Sequence, residues 1–266
     1  TLMIVHDPSR VSVATTYPFG EYGKNLDVLV KEIELKAAEY KEYNISSIFI
    51  GGGTPSILPV NSMEKLFKAV KRAFNYKDNI EFTIESNPGT LSYEKLVCYK
   101  NNGVNRLSIG LQSVDNKELE RLGRIHSYEN FLDNYSLARR TGFNNINVDI
   151  IASLPGQSYE SFIEGLSKVI DLRPEHISCY GLIIEEGTIF FDNYKTVNDK
   201  EYIRLNGIEY PLPSEDDERR IYYKAREILE NSGYYQYEIS NYSLLGKECK
   251  HNLGYWERRN YLVLGL

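Results

Sequence analysis

The chain has 266 residues of ordinary globular composition, a formal net charge of −6 and three cysteines. These properties exclude a disordered, collagen-like or coiled-coil chain, a membrane-spanning helix and a disulfide framework, and they argue against a dedicated nucleic-acid binder. No secretory signal is visible at the start, and the few scattered cysteines favour a reducing, cytoplasmic location. The length fits one large barrel-like α/β domain, or a barrel with an appendage.

Helix-type and strand-type patterns alternate along the first two thirds of the chain. Apolar residues three to four positions apart predict helices, whereas short apolar or alternating runs predict strands. The predicted order is helix Leu26–Tyr40, strand Ile48–Ile50, helix Met63–Phe74, strand Ile80–Glu85, helix Ser92–Gly103, strand Val104–Ile109, helix Ser127–Arg140, strand Ile146–Ile151, helix Ser158–Ile170 and strand His176–Tyr180. Strands separated by single helices are typical of βαβ units and predict a parallel sheet.

This alternation ends after Tyr180. Residues 181–213 are predicted to form a long irregular stretch rich in Glu, Asn and Tyr, and such loops are usually functional or mobile. Ser214 and the four acidic residues after it predict a helix start, because carboxylates favour the positive end of a helix, and Gly233 predicts its end. The apolar run Tyr261–Leu264 has no stop signal after it, so we expect the chain to stop inside a longer protein.

Chemically specific residues stand at the end of nearly every predicted strand. In parallel α/β architectures the carboxyl ends of the strands meet at one edge of the sheet, and ligands bind there. The strand ends carry Gly51-Gly52-Gly53-Thr54-Pro55, Glu85-Ser86-Asn87-Pro88, Gly110-Leu111-Gln112-Ser113, Asn147-Val148-Asp149 and Glu185-Glu186-Gly187-Thr188. We predict a ligand site at this edge.

Each of these features also has a plain structural interpretation. The three glycines could simply form a tight turn between a strand and a helix. Alternatively, their backbone groups could approach a small ligand closely. The glycines match neither a Rossmann fingerprint nor a P-loop. Glu85 and Asp149 can cap neighbouring backbone, or they can bind a ribose diol or an ammonium group. Gln112 and Arg124 add an amide and a bidentate donor for a carboxylate. Together these residue types suit an amino acid joined to a nucleoside.

These motifs, with Leu154-Pro155-Gly156-Gln157, resemble the radical S-adenosylmethionine (radical SAM) proteins of the oxygen-independent coproporphyrinogen III oxidase family. The spacing is also similar to that of the family: 33 residues from Gly52 to Glu85, 27 more to Gln112, 12 to Arg124 and 25 to Asp149. Two further stretches are more similar to the heme chaperone (HemW-type) branch than to the true oxidase. They are Ile183–Thr188 and His251-Asn252-Leu253-Gly254-Tyr255-Trp256.

The resemblance implies an α/β fold, a partial (β/α)6 parallel barrel of the radical SAM type in residues 1–190. A C-terminal extension in residues 191–266 would carry the His251 motif and lead into a further domain. No catalytic residue is assigned. The resemblance implies that S-adenosylmethionine contacts Gly52, Gly53, Thr54, Glu85, Gln112, Arg124, Asp149 and Ile183. In this assignment Glu85 holds the ribose, the glycine turn holds the amino group and Arg124 holds the carboxylate. His251 is the candidate heme-binding residue; alternatively it is a histidine hydrogen-bonded beside Trp256.

The sequence departs from the family at the iron–sulfur cluster. The family binds a [4Fe–4S] cluster through a Cys-x-x-x-Cys-x-x-Cys loop after the first strand. This chain has no such loop, because Cys98, Cys179 and Cys249 are separated by 81 and 70 residues. The family position of the loop falls on Asp7–Ala14, so no metal ligand is assigned. Two explanations stay open: a segment is missing from the sequence, or the cluster is truly lost.

The resemblance predicts a heme chaperone-like protein that binds a [4Fe–4S] cluster, S-adenosylmethionine and heme or porphyrin. A heme-accepting protein is the expected partner, with no nucleic acid. Two alternatives stay open: a cluster-less, non-catalytic heme carrier, and a true coproporphyrinogen III oxidative decarboxylase. A metal-independent barrel enzyme is disfavoured because His126 and His176 lie beside no obvious nucleophile, and we expect His176 to point into packing.

Overall fold

The computed structural model describes residues 2–7, 22–40, 42–52, 54–198 and 200–265. The strands are β1 (Leu2–Asp7), β2 (Asn44–Ile50), β3 (Asn75–Ser86), β4 (Arg106–Gln112), β5 (Ile146–Ala152), β6 (His176–Gly181), β7 (Tyr194–Val197), β8 (Lys200–Leu205), β9 (Ile208–Pro211), β10 (Tyr235–Gln236), β11 (Asn241–Ser243) and β12 (Tyr261–Leu264). The helices are α1 (Tyr22–Ala37), α2 (Val60–Ala73), α3 (Tyr93–Asn101), α4 (Asn116–Arg121), α5 (Tyr128–Arg140), α6 (Tyr159–Asp171), α7 (Ile189–Asp192), α8 (Glu215–Asn231) and α9 (Lys250–Trp256). Among these described helices, none combines the length and the apolar character needed to cross a bilayer.

The chain divides into two compact units. Unit 1 consists of Thr1–Ile109, Leu132–Ile146 and Cys249–Leu266, and unit 2 consists of Gly110–Phe131 and Asn147–Glu248. Unit 1 therefore combines three segments of the chain, and unit 2 combines two. The division into residues 1–190 and 191–266 stays a prediction.

The strands of unit 1 follow the order β12, β1, β2, β3 and then residues 106–109 of β4. β2, β3 and β4 are parallel to one another, whereas β1 is antiparallel to β2 and β12 is antiparallel to β1. The α/β class with parallel strands is confirmed. The antiparallel strands at this edge were not predicted.

An aromatic cluster joins three elements of unit 1. Phe67 of α2 packs edge-to-face on Phe82 of β3, with 5.7 Å between ring centroids, and on Tyr99 of α3 at 6.0 Å. All three side chains are buried. Burying each ring stabilises the folded state by about 1.5–3 kcal/mol, and the edge-to-face geometry adds roughly 0.5–1.5 kcal/mol a pair. This cluster fixes α2 and α3 against the parallel strands.

In unit 2, β5 and β6 are parallel, and β11 and β10 extend this sheet in antiparallel fashion. Ser158 begins α6 with a capping box, because its side chain accepts from the N–H of Ser161 while the Ser161 hydroxyl accepts from the N–H of Ser158. The guanidinium of Arg220 in α8 lies 3.8 Å from the ring centroid of Tyr159 in α6. The two predicted helices of this unit are confirmed.

The prediction of an irregular stretch over residues 181–213 was wrong. These residues contain α7 and an antiparallel sheet in the order β7, β8, β9. Leu205 pairs with Ile208 across a two-residue turn in which Asn206 and Gly207 have φ of 50° and 81°. Positive φ at both central positions is typical of the type I′ hairpin turn, for which Asn-Gly is a strong signal. The signal was present, but the strands are largely exposed and therefore lack the apolar alternation that marks a buried strand.

Candidate functional site

In unit 1 the glycine turn after β2 lies against the carboxylate near the end of β3. The backbone N–H of Gly52 donates to Oε2 of Glu85 at 2.8 Å. A Cβ atom at Gly51 would stand 2.5 Å from the ring of Phe49 and 2.7 Å from the Glu85 carboxylate, so glycine is required by this close approach. The structure thus brings together two of the predicted site residues. Gly53 lies outside the described residues.

The turn that follows is held by polar side chains. Asn87 Nδ2 donates to Thr54 Oγ1 at 2.8 Å, and the hydroxyls of Ser56 and Thr90 lie 2.6 Å apart. Lys95 Nζ donates to the carbonyl oxygens of Ser56 and Thr90 at 2.6 and 2.9 Å. Burial lowers the pKa of Lys95. Sequence reasoning placed Thr54 in this turn but missed Lys95, which connects the loops after β2 and β3.

His251 of α9 is buried inside unit 1, with 2% of its surface exposed. Its Nδ1 lies 3.1 Å from Ser47 Oγ, its Nε2 lies 3.3 Å from the Tyr255 hydroxyl, and its ring stacks on Phe49 at 5.1 Å. Burial, with a smaller contribution from the Arg106 guanidinium, lowers the pKa of His251 to about 3, so the ring is neutral near pH 7. Coordination of heme iron by His251 requires that one of these two hydrogen bonds opens.

A buried carboxylate holds the start of α9. Glu81 of β3 is 4% exposed, and it accepts hydrogen bonds from the backbone N–H groups of Lys250 and His251 at 2.9 and 3.0 Å. It also accepts from the Cys249 thiol at 3.3 Å. A helix start leaves such N–H groups without intrahelical partners, and Glu81 satisfies two of them. Sequence reasoning missed this residue, whose signal was a charged side chain next to apolar neighbours inside a strand.

The last residues of β4, 110–112, belong to unit 2, and the strand ends there in a backbone conformation that side chains rarely adopt. Gln112 has φ of 73°, is buried, and accepts a hydrogen bond from the Tyr180 hydroxyl through Oε1 at 3.0 Å. Ser153, just after β5, has φ of 63° and is also buried. Left-handed backbone at a non-glycine residue costs about 1–3 kcal/mol and is concentrated at functional sites. Gln112 was predicted from the sequence, whereas Ser153 and Tyr180 were missed.

Asp149 of β5 is the end of a directed chain of hydrogen bonds in unit 2. Because a carboxylate only accepts, Asn147 presents Nδ2 to Asp149 Oδ1 at 2.7 Å. Asn147 Oδ1 then accepts from Ser178 at 3.1 Å and from His176 Nδ1 at 2.6 Å, which places the His176 proton on Nδ1. His176 Nε2 in turn accepts from the Tyr237 hydroxyl at 2.7 Å. His176 is buried as expected, but it serves this polar chain.

The other two predicted residues of unit 2 lie outside these networks. Arg124 is half-buried, and its backbone N–H donates to Leu119 at 2.9 Å. Its guanidinium contributes to lowering the pKa of His126, for which burial is the main cause. Ile183 is 78% exposed. Within the described part of unit 2, the structure does not join Arg124 or Ile183 to the contacts of Gln112 and Asp149.

Residues 12–169 match the Radical SAM superfamily. The chain belongs to this superfamily. It is 34% identical to the heme chaperone HemW of Haemophilus influenzae over 99% of this chain and 68% of that protein, and 36% identical to HemW of Bacillus subtilis over 93% and 62%. The fold is also similar to the solved structure of coproporphyrinogen III oxidase (HemN) from Escherichia coli, a radical SAM enzyme. The match has a TM-score of 0.73 and 26% sequence identity, and it covers 89% of this chain and 51% of the HemN chain.

These similarities confirm the predicted family, its HemW branch and the radical SAM type of fold. The radical SAM chain spans about two thirds of the length of the HemW proteins that it matches, 68% and 62% in the two cases above. Membership in the superfamily implies S-adenosylmethionine and a [4Fe–4S] cluster as cofactors.

Residues 8–14 of the expected cluster-loop position lie outside the described residues, and the three cysteines of this radical SAM chain do not fit the cluster. Cys98, Cys179 and Cys249 are all buried and belong to α3, to β6 and to the residue before α9. Burial raises the pKa of Cys179 and Cys249 to about 12 and raises that of Cys98, which disfavours the thiolate that binds iron. Across the residues that the structure describes, no three His, Cys, Asp or Glu side chains are grouped to hold a metal ion. No step through a cluster is derived for this chain.

Proposed function

We propose that this chain binds S-adenosylmethionine and heme as part of a HemW-type heme chaperone. The observation that supports this best is the contact between Gly52 and Glu85 at the carboxyl ends of two parallel strands, inside the region that matches the Radical SAM superfamily. Ligands of parallel α/β folds bind at this edge. A glycine turn and a carboxylate in contact there suit a small ligand that carries hydroxyl and ammonium groups.

In unit 1, Glu85 would accept hydrogen bonds from the ribose hydroxyls of S-adenosylmethionine. A carboxylate has about four acceptor positions, so acceptance from the Gly52 N–H leaves capacity for a diol. Backbone groups from Gly52 to Thr54 would bind the ammonium group of the ligand. These roles follow the resemblance to the family, and the geometry of the turn is compatible with them.

In unit 2, the same resemblance assigns Arg124 to the ligand carboxylate and Gln112, Asp149 and Ile183 to the rest of the molecule. The hydrogen bonds that fix Gln112 and Asp149 support this assignment, because a binding group held in one rotamer loses little entropy when its ligand arrives. When bound, S-adenosylmethionine would supply an adenosyl group on an activated sulfonium. The residues of this chain would hold that ligand in a fixed orientation.

Calorimetric titration with S-adenosylmethionine tests this proposal. We expect Arg124→Ala and Glu85→Gln each to raise the Kd by about 10- to 150-fold, since hydrogen bonds to charged groups contribute roughly 1.5–3 kcal/mol. Arg140→Ala, which removes an exposed arginine at the end of α5, is the matched control and should leave the Kd unchanged. An Arg124→Ala variant with wild-type affinity removes Arg124 from the site.

A cluster-less heme carrier is the second candidate function. It is favoured by the three buried cysteines, whose protonated thiols do not suit iron. Anaerobic expression of the full-length protein, with iron, sulfide and heme assayed together, separates the two functions. A brown protein with four irons supports the cluster-containing chaperone, whereas a colourless protein that takes up heme supports the carrier.

Heme binding at His251 is tested by titration of hemin into wild type and His251→Ala. Loss of the Soret shift in the variant supports His251 as the heme-binding residue, and a shift that survives excludes it. We further propose that the heme is passed to an accepting protein in the cytoplasm; the similarity to proteins named heme chaperones supports this proposal.

A further inference from the structure

Unit 1 contains a cavity of about 740 Å³ that none of the predicted site residues lines. Its lining includes four tyrosines and two arginines, and we call it the tyrosine–arginine cavity: Tyr40, Tyr43, Tyr255, Arg258, Arg259 and Tyr261. Its volume lies inside the range of about 300–1,000 Å³ that is typical of small-molecule sites.

The tyrosines form two pairs. The rings of Tyr40 and Tyr43 have centroids 5.4 Å apart, and those of Tyr255 and Tyr261 have centroids 5.1 Å apart. Within the pairs the rings are inclined by 41° and 73°. Each tyrosine offers a flat apolar face together with a hydroxyl, and it can contact an aromatic ligand with little loss of side-chain entropy. The cavity therefore favours a planar, conjugated ligand.

The arginines give the cavity a positive character. Arg259 Nε is paired with the Glu257 carboxylate, whereas Arg258 is exposed and has no acidic partner among the residues that the structure describes. Arg258 also has φ of 54°, a conformation that costs energy for a side chain with a Cβ atom. Arginine binds carboxylates through two parallel N–H donors, so the cavity suits a ligand with carboxylate groups at its edge.

Tyr255 connects the cavity to the buried histidine. Its hydroxyl lies 3.3 Å from His251 Nε2, and its ring meets the His251 ring edge-to-face at 5.3 Å. A ligand in the cavity would contact the ring of Tyr255 without displacing the buried side chains around His251. This placement does not need either hydrogen bond of His251 to open first.

We propose that the tyrosine–arginine cavity binds a tetrapyrrole dicarboxylate, the class to which heme belongs. The macrocycle packs against the two tyrosine pairs, and its carboxylates bind Arg258 and Arg259. This inference rests on the proposed heme-binding function and deepens it, because it names the residues that would contact the heme. Only Tyr255 among them belongs to the motif His251–Trp256.

The test uses the full chain and two probes, hemin followed by absorbance and iron-free protoporphyrin IX followed by fluorescence. We expect Arg258→Ala to raise the Kd for both probes about tenfold, the effect of losing one charge-assisted hydrogen bond. Arg219→Ala, which removes an exposed arginine of α8, is the matched control and should leave both Kd values unchanged. Protoporphyrin dimethyl ester lacks the carboxylates, so it should bind wild type and Arg258→Ala equally.

The aromatic part of the proposal is tested with the double variant Tyr40→Ala, Tyr43→Ala. We expect at least a tenfold rise in Kd for the ester as well as for the free acid, because stacking does not depend on the carboxylates. Tyr223→Ala removes one ring of an exposed pair on α8 and is the matched control. Circular dichroism and thermal unfolding show whether the variants are folded, and Arg258→Ala changes an exposed side chain.

The outcomes separate this inference from the proposed function. Wild-type affinity for both probes in Arg258→Ala and in the tyrosine double variant overturns the cavity as the site while heme binding stands. A wild-type chain that binds neither probe overturns both proposals. Weaker binding in both variants, with the ester insensitive to Arg258→Ala, supports the cavity.

Discussion

The burial of neutral His251 makes a quantitative prediction about acid stability. The folded-state pKa of about 3 lies below the ordinary value of 6.5, so protons bind the unfolded chain more readily than the folded one. The stability contributed by the neutral ring is complete above pH 6.5 and is lost as the pH falls towards 3. From these two pKa values, the free energy of unfolding should fall by about 3 kcal/mol between pH 7 and pH 4 through this residue.

The assay is urea unfolding of wild type and His251→Gln at both pH values. Glutamine keeps an amide that can bond to Ser47 or Tyr255, but it does not titrate. The variant should be less stable than wild type at pH 7 and should lose about 3 kcal/mol less than wild type on acidification. Other acid-sensitive groups, including His126, act in both proteins and cancel in the comparison. Equal losses in the two proteins would refute the interpretation of His251 as a buried neutral ring.

Three further predictions concern packing, thiols and capping. Gly51→Ala should destabilise the chain by about 1–3 kcal/mol in urea unfolding, because its Cβ atom meets an aromatic ring and a carboxylate; Gly181→Ala, with nothing within 4 Å, should be nearly neutral. None of the three buried thiols should react quickly with Ellman's reagent at pH 8 in the folded chain, whereas all three should react in urea; rapid native labelling would contradict the raised thiol pKa values. Ser158→Ala should lower the free energy of unfolding by about 1 kcal/mol through loss of the capping box, and an unchanged value would show that the cap contributes nothing.

The sequence predicted the parallel part of the fold because its signals are local. The helices that begin at Ser92, Ser158 and Ser214 start where their serine caps predict, and each serine side chain accepts a backbone N–H of its first turn. The strand at Ile146–Ile151 was readable from its apolar run, since both faces of β5 are largely buried. Signals of this kind depend only on neighbouring residues.

The elements that the sequence did not predict depend on distant partners. The helix α9 contains only seven residues and starts at Lys250, after the N-cap residue Cys249, whose side chain makes no capping hydrogen bond. The N–H groups of Lys250 and His251 are satisfied by Glu81 of β3. The two-residue strand Tyr235–Gln236 exists through its pairing with Asn241–Ser243. No local pattern reveals a helix cap that lies about 170 residues away along the chain.

The candidate site was predicted in its residue types and only partly in its contacts. The sequence placed Gly52 and Glu85 near each other because parallel strands end at one edge, and their hydrogen bond is present. It could not predict that Tyr180 would bond to Gln112, nor that His176 would pass a directed hydrogen bond towards Asp149 through an amide. Those contacts depend on the strand register, because a shift of one residue would turn every side chain of the strand to the opposite face of the sheet.

The three separate segments of unit 1 have a consequence for how this protein is made. Synthesis on the ribosome proceeds from the N-terminus, so β3 and its buried Glu81 emerge long before Cys249 and the rest of the last segment. Until then the Glu81 carboxylate has no α9 donors, and unit 1 exposes the surface that α9 and β12 later cover. All residues of unit 2 are translated before this last segment, whereas unit 1 lacks α9 and β12 until the end and is exposed to chaperones and proteases for that time.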